Sequence, residues 1–136
     1  MYKTLFEQSK ILDETPLKVI KGYIEYDIVE IYGVGSHFLI SNRVLEILRR
    51  NEIKGYSILE PLCDELKGSY YWFIVNGKAG PIINNIDNSK KLEFDINTWD
   101  GSDFFNLDGT LLNVCTDKVA EILENENISN IEIRLL

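Results

Sequence analysis

Histidine, cysteine, proline and methionine are scarce in this 136-residue chain, which has one histidine (His37), two cysteines (Cys63 and Cys115), three prolines and one methionine. One imidazole and two unclustered thiols cannot complete a four-ligand zinc site without carboxylates. Two cysteines make no disulfide framework, and each is expected to serve as a small apolar residue in a reducing cytoplasm. No spacing joins His37 to a serine or cysteine as base and nucleophile. The sequence therefore points to no catalytic residue, no metal ligand and no cofactor. Counting from Asp95, a calcium loop would need an oxygen ligand at its fifth position and glycine at its sixth, but Trp99 and Asp100 stand there. Gly33-Val34-Gly35 lacks the third glycine and the lysine of a phosphate loop and reads as a turn.

Long apolar runs are missing too. No stretch approaches the roughly 18 consecutive apolar residues of a spanning helix, so no membrane partner is expected. Residues 1–7 hold no apolar segment of the secretory kind, and the expected location is the cytoplasm. Cations are the minority, 14 Lys and Arg against 22 Asp and Glu, for a formal net charge of −8. Phosphate recognition needs a basic face, so nucleic acid is not expected as a ligand. An acid excess speeds encounter with a basic partner, although it also serves plain solubility.

What is present is a repeat. Offset by 75 residues, Val44 meets Val119, Glu46 meets Glu121, Ile47 meets Ile122, Leu48 meets Leu123, Ile53 meets Ile128 and Ile58 meets Ile133. Ser41-Asn42-Arg43 meets Thr116-Asp117-Lys118. Each copy has a short apolar strand, a Ser or Thr placed to cap a helix, about three turns of helix with one apolar face, a polar turn and an alternating strand. The copies run over about 36–60 and 111–135.

The rest of the chain reads as strand-rich. Residues 1–16 read as an irregular or edge segment, Leu17 to Val34 as a long strand or a bent pair, and Tyr70 to Val75 as a central strand. Residues 76–81 read as a loop, Ile82 and Ile83 as the start of a short strand, and Asp87 to Lys91 as a polar turn. Leu92, Phe94 and Ile96 alternate as a half-exposed strand, and Asp108-Gly109 signals a hairpin. The expected class is α+β: one domain over 1–136, with a mixed or mostly antiparallel sheet and two helices packed on it. Within it, 1–35 is a strand region, 36–62 the first copy, 63–110 central strands and hairpin, and 111–136 the second copy.

One segment suggests recognition. From Leu92 to Asp117 there is no lysine or arginine, while acids alternate with Phe94, Trp99, Phe104 and Phe105. Asp100, Asp103 and Asp108 could steer a basic partner, and Trp99, flanked by Thr98 and Asp100, is the candidate anchor. The same acids also suit turns, and at least two of the aromatics belong in the core. The second helix carries Glu121, Glu124 and Glu126 towards its end, where the helix dipole prefers cations; its twin ends in Arg49 and Arg50. Trp99, Asp100, Asp103, Asp108, Glu124 and Glu126 are thus the candidate partner-binding residues.

Leu-Ile-Ser-x-Arg-Val-x-x-Ile-Leu and Ile-x-Gly-Tyr within 39–56, Asp-Asn-Ser-Lys at 87–90, and Trp-Asp-Gly-Ser-Asp-Phe-Phe through Ile-Ser-Asn-Ile within 99–131 carry a resemblance. Together they resemble bacterial polymorphic-toxin immunity proteins of the myxobacterial type, a family first grouped as domains of unknown function. The resemblance leaves residues 1–35 unaccounted for. It implies a cytoplasmic, non-enzymatic protein that binds and neutralises a cognate, basic toxin domain, and it implies no catalytic residues. Two other classes fit the composition: a small cytosolic enzyme working around His37, and a structural or regulatory subunit that self-associates through an exposed sheet edge.

Overall fold

The computed structural model describes residues 26–30, 37–62, 66–83 and 93–134. The expectations for 1–25, the turn at Gly33–Gly35, Cys63 and the turn at Asp87–Lys91 lie outside the described residues. The fold is α+β, with two helices and two four-stranded sheets among the described residues. In the first sheet, β1 (Ile28–Glu30), β2 (Phe38–Ser41), β4 (Tyr70–Val75) and β3 (Tyr56–Leu59) lie in that order, all antiparallel. In the second, β6 (Glu93–Phe94), β5 (Gly77–Ile83), β7 (Phe104–Asp108) and β8 (Asn113–Cys115) lie in that order, and only β5 and β7 run parallel. Helix α1 spans Asn42–Arg50 and α2 spans Asp117–Asn125.

The main core lies between the sheets and the helices. Val44, Leu45, Ile47 and Leu48 of α1 and Val119 and Leu123 of α2 meet Ile28, Ile40, Phe73 and Val75 of the first sheet there. Phe104 and Cys115 of the second sheet pack against the same cluster. Period-two alternation sends the neighbouring side chains the other way. Leu39, Tyr70, Trp72 and Ile74 form a second buried cluster, and Ala79, Phe105 and Leu107 a third. Tyr70–Val75 is an internal strand, and its run of aromatic and branched residues suits a surface buried on both faces.

The repeat holds in three dimensions. Both helices are nine residues long and end in the same Schellman geometry. Ile53 N–H donates to Leu48 O at 3.0 Å and Glu52 N–H to Arg49 O at 3.1 Å. One copy later, Ile128 N–H donates to Leu123 O at 3.3 Å and Asn127 N–H to Glu124 O at 3.1 Å. Glu52 and Asn127 both have positive φ, at 55° and 52°. The hairpins before the helices match as well. Ile28 faces Ile40 across β1–β2 as Phe104 faces Cys115 across β7–β8. The first connection is one residue longer, so this part of the repeat needs an offset of 76 rather than 75.

Several expectations change. Residues 77–83 are a continuous strand, not a loop. Gly77 lies where a Cβ would overlap the Phe104 carbonyl oxygen and the Ser102 hydroxyl, so only glycine lets the chain cross directly from the first sheet to the second. Pro81 sits at a register shift opposite Asp108, the position where a strand tolerates proline. The strand expected around Leu92–Ile96 is only Glu93–Phe94, followed by a 3-10 turn at Ile96–Thr98. Ser41 caps α1 by accepting from Val44 N–H at 3.2 Å. Thr116 makes no such bond; its hydroxyl donates instead to Asp103 at 3.3 Å. After α2, residues 131–134 form no strand, although their counterpart in the first copy is β3.

Candidate partner-binding face

Asp27 and Asp103 hold the two copies together. Asp27 precedes β1, and its backbone oxygen accepts from Ser41 N–H at 2.8 Å while its carboxylate accepts from the Ser41 hydroxyl at 2.8 Å. Asp103 precedes β7 and does the same for Thr116, at 2.9 and 3.3 Å. Each carboxylate also reaches the turn after the other copy's helix. Asp27 accepts from Ser129 N–H at 3.0 Å, and Asp103 accepts from Lys54 N–H at 2.9 Å. Lys54 and Ser129 are equivalent positions of the repeat. This is the reciprocity of a two-fold relation, residue i on j and j on i, built within one chain. Burial by itself would raise the Asp27 pKa; the Ser129 N–H, the Ser41 hydroxyl and the Arg43 guanidinium outweigh it and hold the carboxyl below the usual carboxylate range.

The six candidate residues divide by what they already bind. Trp99 is half-buried, packs on Phe105 at 5.7 Å and donates its indole N–H to Ser102 O at 3.0 Å. Asp100 is exposed, yet it accepts from Lys78 N–H at 2.9 Å and Ser102 N–H at 3.0 Å, tying a turn to β5. Burial would raise its pKa, but these bonds and the Ser102 hydroxyl lower it. Asp103 is the inter-copy tie just described. Glu126 caps α2 and pairs with Arg50 at 3.1 Å, and its carbonyl accepts from Arg43. The opposite charges at the two helix ends therefore answer each other inside the molecule. Asp108, at the exposed end of β7, and Glu124, on the exposed face of α2, carry no such tie to another described residue.

Glu124 lines an open groove that the sequence reading did not single out. The groove has a volume of about 360 Å³ and lies between the end of α2 and the segment after it. Leu123, Ile128, Ile131 and Ile133 supply apolar surface, and Glu124, Glu132 and Asn127 supply polar atoms. No lysine or arginine lines it. Glu132 also pairs with Arg134 at 2.8 Å, both side chains being largely exposed. The sequence signal for this groove lies in the repeat, where Tyr56 and Ser57 of the first copy are replaced by Ile131 and Glu132 in the second.

His37 is half-buried at the start of β2 and does not line the groove. Cys115 is a free thiol packed against the main core; burial, then Asp117, pushes its pKa up, away from nucleophilic use. Among the described residues, no three His, Cys, Asp or Glu side chains are gathered to hold a metal ion, and no helix is long and apolar enough to cross a membrane.

Fold and groove together define the class as an α+β domain built on an internal repeat. Comparison with protein-family models, curated proteins and solved structures finds no match for the chain.

Proposed function

We propose that this chain is an immunity-type protein that binds a cognate bacterial toxin domain in the cytoplasm and neutralises it through an acidic surface. It works by occupancy and catalyses no reaction. The observation that carries the reading is the groove beside α2, where an isoleucine and leucine floor lies beneath Glu124 and Glu132, with neither lysine nor arginine in its lining and Arg134 paired to Glu132 from outside it. Its complement is a protein surface that presents apolar side chains next to lysine or arginine. The net charge of −8 extends the same preference over distance. Toxin domains that act on nucleic acid need a basic face of their own; covering that face would exclude their substrate.

The experiment is capture followed by inhibition. Tagged chain is purified from its source cells, and the co-purifying protein is made separately and assayed with and without it. The reading expects a toxin domain, its gene adjacent, whose toxic activity falls as the chain is added in equimolar amount. A partner with no toxic activity, or a toxin that the bound chain leaves fully active, would overturn it.

A further inference from the structure

Glycine follows asparagine or aspartate at three places in the chain: Asn76-Gly77, Asp100-Gly101 and Asp108-Gly109. A following residue without Cβ lets its backbone nitrogen reach the preceding side chain's carbonyl carbon and close a succinimide ring. The fold treats the three places unequally. The Asn76 side-chain amide donates to the Ser57 hydroxyl, and Gly77 N–H donates to Gly55 O at 3.2 Å. Gly77 is buried, with the Phe104 carbonyl oxygen and the Ser102 hydroxyl where a Cβ would stand, so its nitrogen has no room to swing. The Asp100 carboxylate accepts from Lys78 N–H at 2.9 Å, Ser102 N–H at 3.0 Å and the Ser102 hydroxyl. Against the effect of burial these bonds lower its pKa, and an ionised carboxylate is a poor electrophile. Asp108 and Gly109 are both exposed, in a turn closed by Thr110 N–H to Leu107 O at 3.1 Å. A Cβ at Gly109 would meet nothing within 4 Å, as at Gly101, so the hold on the Asp100 carboxylate is what separates these two places. Across the sheet Asp108 faces Pro81, which has no N–H to give it.

We propose that Asp108-Gly109 is a site of spontaneous isoaspartate formation in the folded protein, and that the fold shields the other two places. The Gly109 nitrogen attacks Asp108 Cγ. As the N–Cγ bond forms, the Cγ–OH bond of the protonated carboxyl breaks, and the hydroxyl leaves as water with the amide proton. Water then adds back to the ring. Addition at Cγ restores aspartate; addition at the main-chain carbonyl carbon leaves the chain running through Cβ and Cγ, with a free α-carboxylate. Atoms and electrons balance without an oxidant or a cofactor, and the mass of the chain is unchanged. The main chain becomes one carbon longer in the turn between β7 and β8, the hairpin whose Phe104 and Cys115 pack against the main core. The inference does not depend on the toxin-binding reading.

The test holds the purified full chain at neutral pH and body temperature for several weeks, one sample folded and one in urea. Each is then mapped by peptide mass spectrometry after digestion with an endoprotease that cuts before aspartate but not before isoaspartate. In the folded sample isoaspartate accumulates at 108 about tenfold faster than at 100, because Asp100 must first give up its hydrogen bonds. Asn76 keeps its amide there. In urea all three places react. The folded Asp108→Glu chain, whose longer side chain closes a larger and slower-forming ring, loses the signal at 108. Unchanged Asp108 in the folded sample overturns the proposal. So does isoaspartate that builds up equally at 100 and 108 in the folded sample, or Asn76 that loses its amide as fast folded as in urea.

Discussion

Asp27 carries more of this structure than its place in the chain suggests. Its carboxylate is mostly buried and accepts from Ser41, Ser129 and Arg43. Asp27→Ala would strand these donors together and should cost about 2–3 kcal/mol in urea unfolding. The pH dependence follows from the lowered pKa values of Asp27 and Asp100. A carboxyl whose folded pKa lies below its unfolded value of about 4 stabilises the fold fully above that value. The contribution is lost as pH falls through the folded pKa. Stability should therefore drop on acidification below about pH 4, and Asp27→Asn should flatten that limb of the curve. Glu52 makes a second residue-scale test. It holds φ at 55° after α1, a conformation that strains any side chain with a Cβ. Glu52→Gly should raise stability by about 1 kcal/mol, and Asn127→Gly by less, because asparagine tolerates that region.

The helices and their hairpins form the repeating element, and equivalent positions should behave alike. Leu48 and Leu123 occupy the same place in the two copies, at 1% and 4% exposure. Leu48→Ala and Leu123→Ala should each cost about 2–5 kcal/mol in denaturant melts. A large loss at one and none at the other would mean that the copies do not share a core. Much of this element is legible in the sequence, because the Ser41 cap, apolar periodicity and the 75-residue offset are local signals, whereas the cap expected of Thr116 is not made. The tie between copies is not. Asp27 and Asp103 align only after a one-residue gap in the hairpin, and a gap-free comparison passes over them. The strand β5 is hidden for another reason: Gly77, Gly80 and Pro81 read as a turn, whereas tertiary crowding at the crossing demands glycine within a strand. Trp99 reads as an exposed anchor from its polar neighbours, yet Phe105, six positions on, gives its ring a surface to cover. The acids at the end of α2 look outward in sequence because the arginines that answer Glu126 lie in the other copy.

At the scale of the whole molecule, the copies have one core and two reciprocal ties, so neither is free to unfold alone. Heat and denaturant should each give a single transition, coincident by tryptophan fluorescence and far-UV circular dichroism. Two resolved transitions would contradict the shared core. The internal ties also sort the acidic surface. Asp100, Asp103 and Glu126 serve the fold, and α2 presents Glu121 and Glu124 outward with no such bond to another described residue. Reversing those two charges leaves the helix sound, since both side chains are exposed and Glu124 lies in the last turn, where a cation suits the dipole. The proposed function therefore meets its most direct test in cells that produce the toxin domain it calls for, once captured, together with the Glu121→Lys, Glu124→Lys chain. Loss of protection with an unchanged melting temperature is the predicted result; full protection by that variant would contradict the account.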